Sequence, residues 1–383
     1  MSVTAAAGFR AAGVTARLKD SGAPDLALVV NDGPIRSAAG VFTRNRIKAA
    51  PVLWSQQVVA GGAVDAVVLN SGGANACTGP DGFADTHRTA EAVAVLAGTG
   101  AARVAVCSTG LIGIRLPMDR LLPGLDKAQL ELTSDGGHAA ARAIMTTDSV
   151  PKPAVHEAAG FTVGGMAKGA GMLAPALATM LVVVTTDAVA EPAVLDGVLR
   201  EAVRTTFERV DSDGCLSTND TVLLLASGAS GEQPDADALQ QAVTAVCGDL
   251  ARQLIGDAEG ASKEVEVVVA GAASEDDAVE VARSVARNNL LKCALAGEDP
   301  NWGRVLAAVG TTAAAFEPDA LDVEMNGVQV CRAGSVGDDR DSVDLSGREV
   351  RIVVDLHAGE ATATVWTNDL TEAYVHENSA YST

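Results

Sequence analysis

The sequence predicts a mixed α/β fold, because short apolar runs with the length of buried strands alternate with alanine-rich segments of helical period. Hydrophobic residues make up 48% of the 383 residues and aromatic residues only 3%, so alanine, valine and leucine must fill the core. A chain of this length can bury a large core and form two or three domains. Towards the C-terminus, β-like runs separated by Asn-Gly and Ser-Gly turns predict a β-rich subdomain.

In the N-terminal half, apolar runs of strand length predict buried strands, and longer alanine-rich segments predict helices. The predicted strands are residues 26–30, 66–69 and 104–106, and the predicted helices are residues 84–96 and 137–145. Val93 and Leu96 fall on one face of the first predicted helix, as expected for a helix that packs against a sheet.

In the C-terminal half, two apolar runs predict adjacent core strands, and helical periodicity predicts three helices. Asp276 and Asp277 favour a helix start, because acidic side chains stabilise the positive end of the helix dipole. The predicted strands are residues 180–185, 221–225 and 265–270, the predicted helices are residues 194–207, 236–255 and 275–291, and residues 322–366 alternate β-like runs with turns.

Residues 164–181 combine a glycine-rich segment, a junction of small residues, Ala178-Thr179, and the start of an apolar run. Cleavage before Thr179 would free an N-terminal threonine whose hydroxyl is a nucleophile and whose α-amino group is a general base. An α-amino group has a pKa of roughly 7.7–8.0, so it can accept a proton near working pH without a histidine. Spacing alone favours a simpler interpretation, in which residues 164–171 form a turn and Thr179 is an ordinary strand residue.

The composition also disfavours several classes of protein, namely nucleic-acid-binding, membrane, metal-binding and secreted proteins. The net charge of −21 disfavours binding to nucleic acid or to an anionic membrane, and no apolar run is long enough to predict a membrane span. The six cysteines form no CxxC pair and have no histidine at metal-ligand spacing, so we expect reduced thiols and no metal site. The N-terminal residues lack the pattern of a signal peptide, and we expect a cytoplasmic protein.

Residues 164–181 resemble the self-cleavage site of the ornithine acetyltransferase (glutamate N-acetyltransferase) family of arginine biosynthesis. Other segments match the same family in order along nearly the whole chain. They are Val41-Phe-Thr-Arg-Asn45, Asn70-Ser-Gly-Gly-Ala-Asn-Ala-Cys-Thr-Gly79, Ser108-Thr-Gly110, Met145-Thr-Thr-Asp148, Asp213-Gly-Cys-Leu-Ser-Thr-Asn-Asp-Thr221, Gly256-Asp-Ala-Glu-Gly-Ala-Ser-Lys263, Asp299-Pro-Asn-Trp-Gly-Arg304 and Glu377-Asn-Ser-Ala-Tyr-Ser-Thr383.

The resemblance implies sheets sandwiched between helical layers, with a smaller C-terminal α/β domain. It implies an α chain of residues 1–178 and a β chain of residues 179–383, the latter including a C-terminal subdomain from about residue 265. The chains would stay associated as a heterotetramer of two α and two β chains or a larger assembly. The implied reaction moves acetyl from N2-acetyl-L-ornithine to L-glutamate through acetyl-Thr179, without a bound cofactor, and leaves acetyl-CoA open as a second acetyl donor.

Thr109 and Gly110 follow a predicted strand, where a hydroxyl and a glycine N–H can point at a developing alkoxide. The resemblance assigns this pair as the oxyanion hole, whereas the sequence alone favours a plain turn at the end of a strand. Lys168 is the only charged residue in the glycine-rich segment. It is a surface lysine by default, and the resemblance makes it the partner of a substrate carboxylate.

The resemblance places further residues in contact with substrate. Glu259 would orient the amino end of the substrate, although Gly260 also allows it to be a solvated residue after a helix. The remaining implied substrate contacts are Thr147, Asn378 and the C-terminal Thr383.

Three other interpretations remain open from the sequence. A self-cleaving amidohydrolase or aminopeptidase would use the same nucleophile but resolve the acyl-enzyme with water instead of an amine. A paralogous acetyltransferase of a secondary-metabolite cluster would have the same site residues. A non-enzymatic assembly subunit would use the glycine-rich segment as a hinge and keep an intact chain.

The junction generates a direct prediction about maturation. We expect purified protein to contain chains of about 178 and 205 residues, the second beginning with Thr179. Thr179→Ala should remain uncut and inactive, whereas Thr179→Ser should still be cut, since only the hydroxyl is needed. Denaturing electrophoresis with N-terminal sequencing measures this, and a single intact chain in active enzyme would contradict it.

Overall fold

The computed structural model describes residues 2–174 and 180–380, which divide into two compact units. The first unit contains the residues up to 208 together with residues 215–257, and the second contains residues 209–214 and those from 258 onwards. Ala178, Thr179 and Thr383 lie outside the described residues. The division of the chain at residue 178 therefore stays a prediction.

The described strands of the first unit form two sheets. They are β1 Phe9–Val14, β2 Leu26–Asn31, β3 Ser37–Phe42, β4 Ala66–Asn70, β5 Val104–Ser108, β6 Lys152–Glu157, β7 Thr162–Lys168, β8 Leu181–Thr186 and β9 Thr221–Ala226. The first sheet has the order β1-β2-β4-β5 and the second the order β3-β9-β8-β7-β6. Both sheets are mixed, because β4 is parallel to β5 and β8 is parallel to β9, while the other neighbours are antiparallel.

Helices cover the outer faces of both sheets, except for the short helix Gly137–Ala143, whose alanines belong to the core between the sheets. They are α1 Ala50–Ala60, α2 Gly79–Ala97, α3 Met118–Leu130, α4 Gly137–Ala143, α5 Pro192–Thr205 and α6 Ala236–Gly256. Val93 of α2 and Leu121 of α3 pack on the outer face of the first sheet, and α5 and α6 pack on the second. The inner faces meet in one apolar core that includes Val29, Leu69 and Val183.

Strand β7 corrects the prediction of a turn at residues 164–171, because residues 164–168 belong to the strand. Its glycines reflect close packing and not a loop. A Cβ at Gly164 would lie 2.4 Å from the Ser2 carbonyl oxygen, and one at Gly165 would lie 2.9 Å from Val246 of α6. Only glycine allows the N-terminal segment and the helix to approach the strand this closely.

The second unit is a six-stranded mixed sheet with helices, in the order β13-β12-β11-β14-β10-β15. Val267 and Ile352 of this sheet share a core with Val281 of its first helix. The elements are β10 Glu264–Ala272, α7 Glu275–Ala286, α8 Asn289–Ala296, α9 Trp302–Val309, β11 Asp322–Met325, β12 Val328–Arg332, β13 Ser335–Val336, β14 Glu349–Asp355, β15 Ala361–Asn368 and α10 Glu372–Ala380.

The single helix predicted over residues 275–291 is wrong, because the structure has two helices there. Helix α7 begins after Ser274, whose side chain accepts a hydrogen bond from the Asp277 N–H, and it ends at Ala286. Asn288 then begins α8 by accepting a hydrogen bond from the Leu291 N–H. The side-chain cap of Asn288 begins a second helix, which apolar periodicity does not reveal.

The predicted fold class is confirmed, with mixed sheets between helical layers and a smaller C-terminal α/β unit. The strands predicted at residues 180–185 and 221–225 are adjacent, and Leu181 pairs with Thr221. Across the described ranges, every helix is too short or too polar to cross a membrane.

The contact between β1 and α4 predicts a strong effect of one methyl group. A Cβ at Gly13 would lie 2.0 Å from the Ala139 carbonyl oxygen, so Gly13→Ala should force backbone movement and destabilise the first unit by about 1–3 kcal/mol. Gly197→Ala is the control, because nothing lies within 4 Å of its Cβ position in α5. Denaturation midpoints measure both variants, and equal midpoints would contradict the predicted overpacking.

Candidate active site

The turn after β5 requires glycine. Thr109 is buried directly after the strand, and its carbonyl oxygen accepts a hydrogen bond from the Gly73 N–H at 3.0 Å. Gly110 has a φ of 128°, and a Cβ there would lie 2.8 Å from the Gly73 nitrogen. Both the backbone conformation and the close approach therefore exclude other residues at position 110.

Lys168 is the last residue of β7 and is only 2% exposed, so the default expectation of a surface lysine is wrong. Its Nζ donates a hydrogen bond to Thr109 Oγ1 at 3.3 Å. An ammonium group has no acceptor, so the Thr109 oxygen must accept and its own proton must point elsewhere. The contact thereby orients Thr109 as a hydrogen-bond donor.

Asp148 connects the end of β7 to the bend after α4. Its Oδ1 accepts hydrogen bonds from the Gly169 N–H and from Lys152 Nζ, both at 2.6 Å, and its Oδ2 accepts one from the Thr146 N–H at 2.9 Å. Burial alone would raise the pKa of Asp148, but the cations of Lys168 and Lys152 outweigh burial and lower it to about 2. An ionised carboxylate therefore lies beside the buried lysines at neutral pH.

Thr147 lies half-buried in the bend that Asp148 holds. The same carboxylate holds the Gly169 N–H, directly after Lys168. Thr109, Lys168 and the segment containing Thr147 are therefore linked through hydrogen bonds within the first unit, as the sequence-based hypothesis requires of groups that share a site.

Glu259 and Asn378 form a contact within the second unit. Asn378 Nδ2 donates to Glu259 Oε2 at 3.0 Å and also to the Tyr374 carbonyl oxygen at 3.0 Å. Gly260 has a φ of 63°, and a Cβ there would lie 2.2 Å from the Tyr374 nitrogen. The predicted acid is thus held against α10 and is not the end of a solvated helix, since α6 already ends at Gly256.

Two buried residues at the start of β9 were missed as candidates. Asn219 donates hydrogen bonds to the carbonyl oxygens of Ala74 and Ser108, each at 2.7 Å, and Asp220 accepts one from the Met180 N–H at 3.2 Å. Both residues fall inside the matched segment at residues 213–221, which was the available signal. Their partners are distant in sequence, so spacing could not assign them a role.

Within the part of the chain that the structure describes, no group of three or more His, Cys, Asp or Glu side chains is placed to hold a metal ion. The predicted nucleophile Thr179, its neighbour Ala178 and the predicted contact Thr383 lie outside those residues.

Two facing sheets with a buried lysine that orients the hydroxyl of a glycine-dependent turn are features suited to an enzyme of acyl transfer. The chain belongs to the ArgJ family, whose model matches residues 10–383. The "Arginine biosynthesis bifunctional protein ArgJ" of Streptomyces coelicolor is 69% identical over 382 residues, covering 100% of both chains.

Two solved structures are also similar. The arginine biosynthesis bifunctional protein argJ of Bacillus halodurans is 34% identical, covers 51% of this chain and 97% of that chain, and has a TM-score of 0.50. An ornithine acetyltransferase complexed with ornithine, from Mycobacterium tuberculosis, is 63% identical over 47% of this chain and 96% of that chain, with a TM-score of 0.45. The predicted family is confirmed, and with it the predicted enzyme class, an acetyltransferase of arginine biosynthesis.

The pKa of Asp148 predicts how acid affects stability. Because the pKa of about 2 in the folded chain lies below the ordinary aspartate pKa of 3.8, the stabilisation by Asp148 is complete above about pH 4 and is lost as the pH falls through 2. Asp148→Asn should lower the free energy of unfolding at pH 7 by about 2–3 kcal/mol and flatten the decline between pH 4 and pH 2.

Chemical denaturation across this pH range measures the effect. Asp126→Asn, at an exposed position of α3, is the control and should follow the unmodified protein. An Asp148→Asn variant with the same pH dependence as that control would contradict the assignment.

Proposed function

We propose that the chain transfers acetyl from N2-acetyl-L-ornithine to L-glutamate through an acetyl-Thr179 intermediate. The observation that carries the proposal is the contact of buried Lys168 with Thr109, at the end of the strand that leads into the Gly110 turn. It combines a cation for a substrate carboxylate with an oriented hydroxyl for a developing oxyanion.

The nucleophile would arise by self-cleavage. The Thr179 hydroxyl attacks the Ala178 carbonyl carbon, the C–N bond breaks as its nitrogen takes up the proton, and an ester links the two parts. Water then hydrolyses the ester, leaving a carboxylate on Ala178 and a free α-amine on Thr179. The solved Bacillus halodurans chain, which matches over 97% of its own length but only 51% of this chain, supports an organisation in two chains.

Acetyl transfer then proceeds in two half-reactions. The α-amine of Thr179 accepts the hydroxyl proton, the hydroxyl attacks the acetyl carbonyl of acetylornithine, and ornithine leaves with a proton. The amine of glutamate attacks the acetyl ester in the second half-reaction and regenerates Thr179. Thr109 and the Gly110 N–H would stabilise the oxyanion of both tetrahedral intermediates.

Lys168 would bind the α-carboxylate, which acetylornithine and glutamate share. The net charge of −21 repels anionic substrates, so a local cation is needed, and a buried lysine offers one where water does not screen it. Thr147, Thr383 and the Glu259–Asn378 pair are proposed as further substrate contacts, with Glu259 near the amino end of the substrate.

Other properties belong to the same proposal. Relatives bear the name "bifunctional", which supports acetyl-CoA as a second donor for glutamate acetylation without a bound cofactor. We propose that two α and two β chains assemble, and that the protein acts in the cytoplasm, where its six free thiols would stay reduced.

Glutamate dependence tests the reaction. The cleaved enzyme should release ornithine from acetylornithine continuously only when glutamate is present, and it should form one equivalent of acetylglutamate per ornithine. Release at the same rate without glutamate would instead indicate a hydrolase. Incubation of acetyl-CoA with glutamate tests the second donor in the same assay.

Lys168→Ala tests the carboxylate role. Loss of a charge-assisted hydrogen bond costs about 1.5–3 kcal/mol, so kcat/KM should fall by roughly 10- to 100-fold for both acetylornithine and glutamate. The chain should still be cleaved, because cleavage involves no substrate carboxylate. Lys127→Ala at an exposed position of α3 is the control, and unchanged kinetics in Lys168→Ala would exclude the proposed role.

A further inference from the structure

The start of β9 connects the two segments on which acetyl transfer would depend. Asn219 and Asp220 are both buried there, and Asp220 is 0% exposed. The two side chains form hydrogen bonds with different segments of the first unit. Asp220 contacts the residue that follows the predicted nucleophile, and Asn219 contacts the residues around the glycine-dependent turn.

Met180 is held at both of its backbone polar groups. Its N–H donates to Asp220 Oδ1 at 3.2 Å, and its carbonyl oxygen accepts from the Thr221 N–H at 3.1 Å. The second bond belongs to the pairing of β8 with β9, whereas the first requires the Asp220 side chain. The nitrogen of Met180 is bonded to Thr179 in the sequence, so Asp220 fixes the atom next to the nucleophilic residue.

Asn219 fixes the other segment. Its amide group donates to the carbonyl oxygen of Ser108, directly before Thr109, and to that of Ala74, each at 2.7 Å. The Ala74 N–H in turn donates to the Leu111 carbonyl oxygen at 3.0 Å, directly after Gly110. The backbone on both sides of the Thr109-Gly110 turn is therefore tied to Asn219.

Burial disfavours the charged form of the Asp220 carboxyl. This raises the pKa of Asp220 well above its usual range, and the bond from Met180, the polar groups of Ser217 and Thr43 and the cation of Lys168 offset only part of the increase. The Thr43 hydroxyl lies nearby but donates to the Ser217 carbonyl oxygen at 2.7 Å. Among the described residues, Asp220 Oδ2 has no hydrogen-bond partner.

We propose that Asn219 and Asp220 are a positioning pair that holds Met180, the residue after the proposed nucleophile in the sequence, and the Thr109-Gly110 turn in a fixed relation. The proposal rests on the proposed function, because it concerns the geometry of the same reaction. Two adjacent residues directly before β9 hold both segments, so neither segment can move without breaking a buried hydrogen bond. The pair therefore acts through backbone groups and does not touch substrate.

Substitutions of Asp220 distinguish its role as a hydrogen-bond acceptor from its role as an acid. Asp220→Asn keeps a side-chain oxygen that can accept from the Met180 N–H, so cleavage and kcat should stay within about threefold of the unmodified protein. Asp220→Ala removes the acceptor, and cleavage and kcat should both fall by roughly 10- to 100-fold while KM for both substrates changes little. Asp220→Leu, which fills the space without an acceptor, gives the same comparison if the alanine variant does not fold.

Replacement of Asn219 tests the other half. Asn219→Asp removes both donors, and kcat should again fall without a matching change in KM. Asn31→Asp is the control, because Asn31 is also buried and donates to the Ala226 carbonyl oxygen at 3.1 Å, at the opposite end of β9. This control should lower stability but leave kcat unchanged.

Time courses of cleavage on denaturing gels and steady-state kinetics on the cleaved enzyme, per mole of cleaved chain, provide the measurements. Wild-type rates in Asp220→Ala, equal losses in Asp220→Asn and Asp220→Ala, or equal kcat losses in Asn31→Asp and Asn219→Asp would each overturn the positioning role. If the unmodified protein is cleaved but transfers no acetyl to glutamate, the proposed function fails alone, because the cleavage rates of the variants still test the pair.

Discussion

A charge buried in a protein interior must be balanced, and the first unit depends on how Asp148 and its lysines achieve this. Lys168 and Lys152 keep Asp148 ionised, and Asp148 in turn receives the backbone N–H groups of Thr146 and Gly169. Asp257 also contacts Lys152, at 2.5 Å, so two carboxylates face the two lysines, and Asp148 in addition sets the path of two chain segments. In a chain that is acidic overall, these two lysines lie inside, where solvent counter-ions do not compete.

The sequence was sufficient for elements that show a clear period, such as α6 and the adjacent strands β8 and β9. The sequence was insufficient where the identity of a residue depends on a contact with a residue that is distant in the chain. Gly164 and Gly165 suggested a turn, yet they lie in β7 because Ser2 and α6 approach it closely. Periodicity predicted Asn288 to be an ordinary residue of one long helix, whereas its side chain caps the start of a second helix.

The candidate site shows the same division. Lys168 could be selected from the sequence because it is the only charge in an unusual segment, but its burial and its bond to Thr109 come from the pairing of strands. Glu259 and Asn378 were selected from matched motifs, and their contact joins segments 119 residues apart. Asn219 and Asp220 were overlooked because the role of an amide or carboxyl side chain depends on which backbone groups surround it, and these lie far away in the sequence.

The order of strands in the second sheet constrains how the protein could be taken apart. Strands β3, β7 and β6 precede residue 178, whereas β8 and β9 follow it, and the sheet order is β3-β9-β8-β7-β6. Two polypeptides produced by a cut at that point would share a continuous ladder along two seams. Neither would have a finished sheet alone, so dilution would not exchange subunits between molecules. The two polypeptides in each molecule would therefore always come from the same precursor chain. Polypeptides from different precursors could combine only while the sheet is folding.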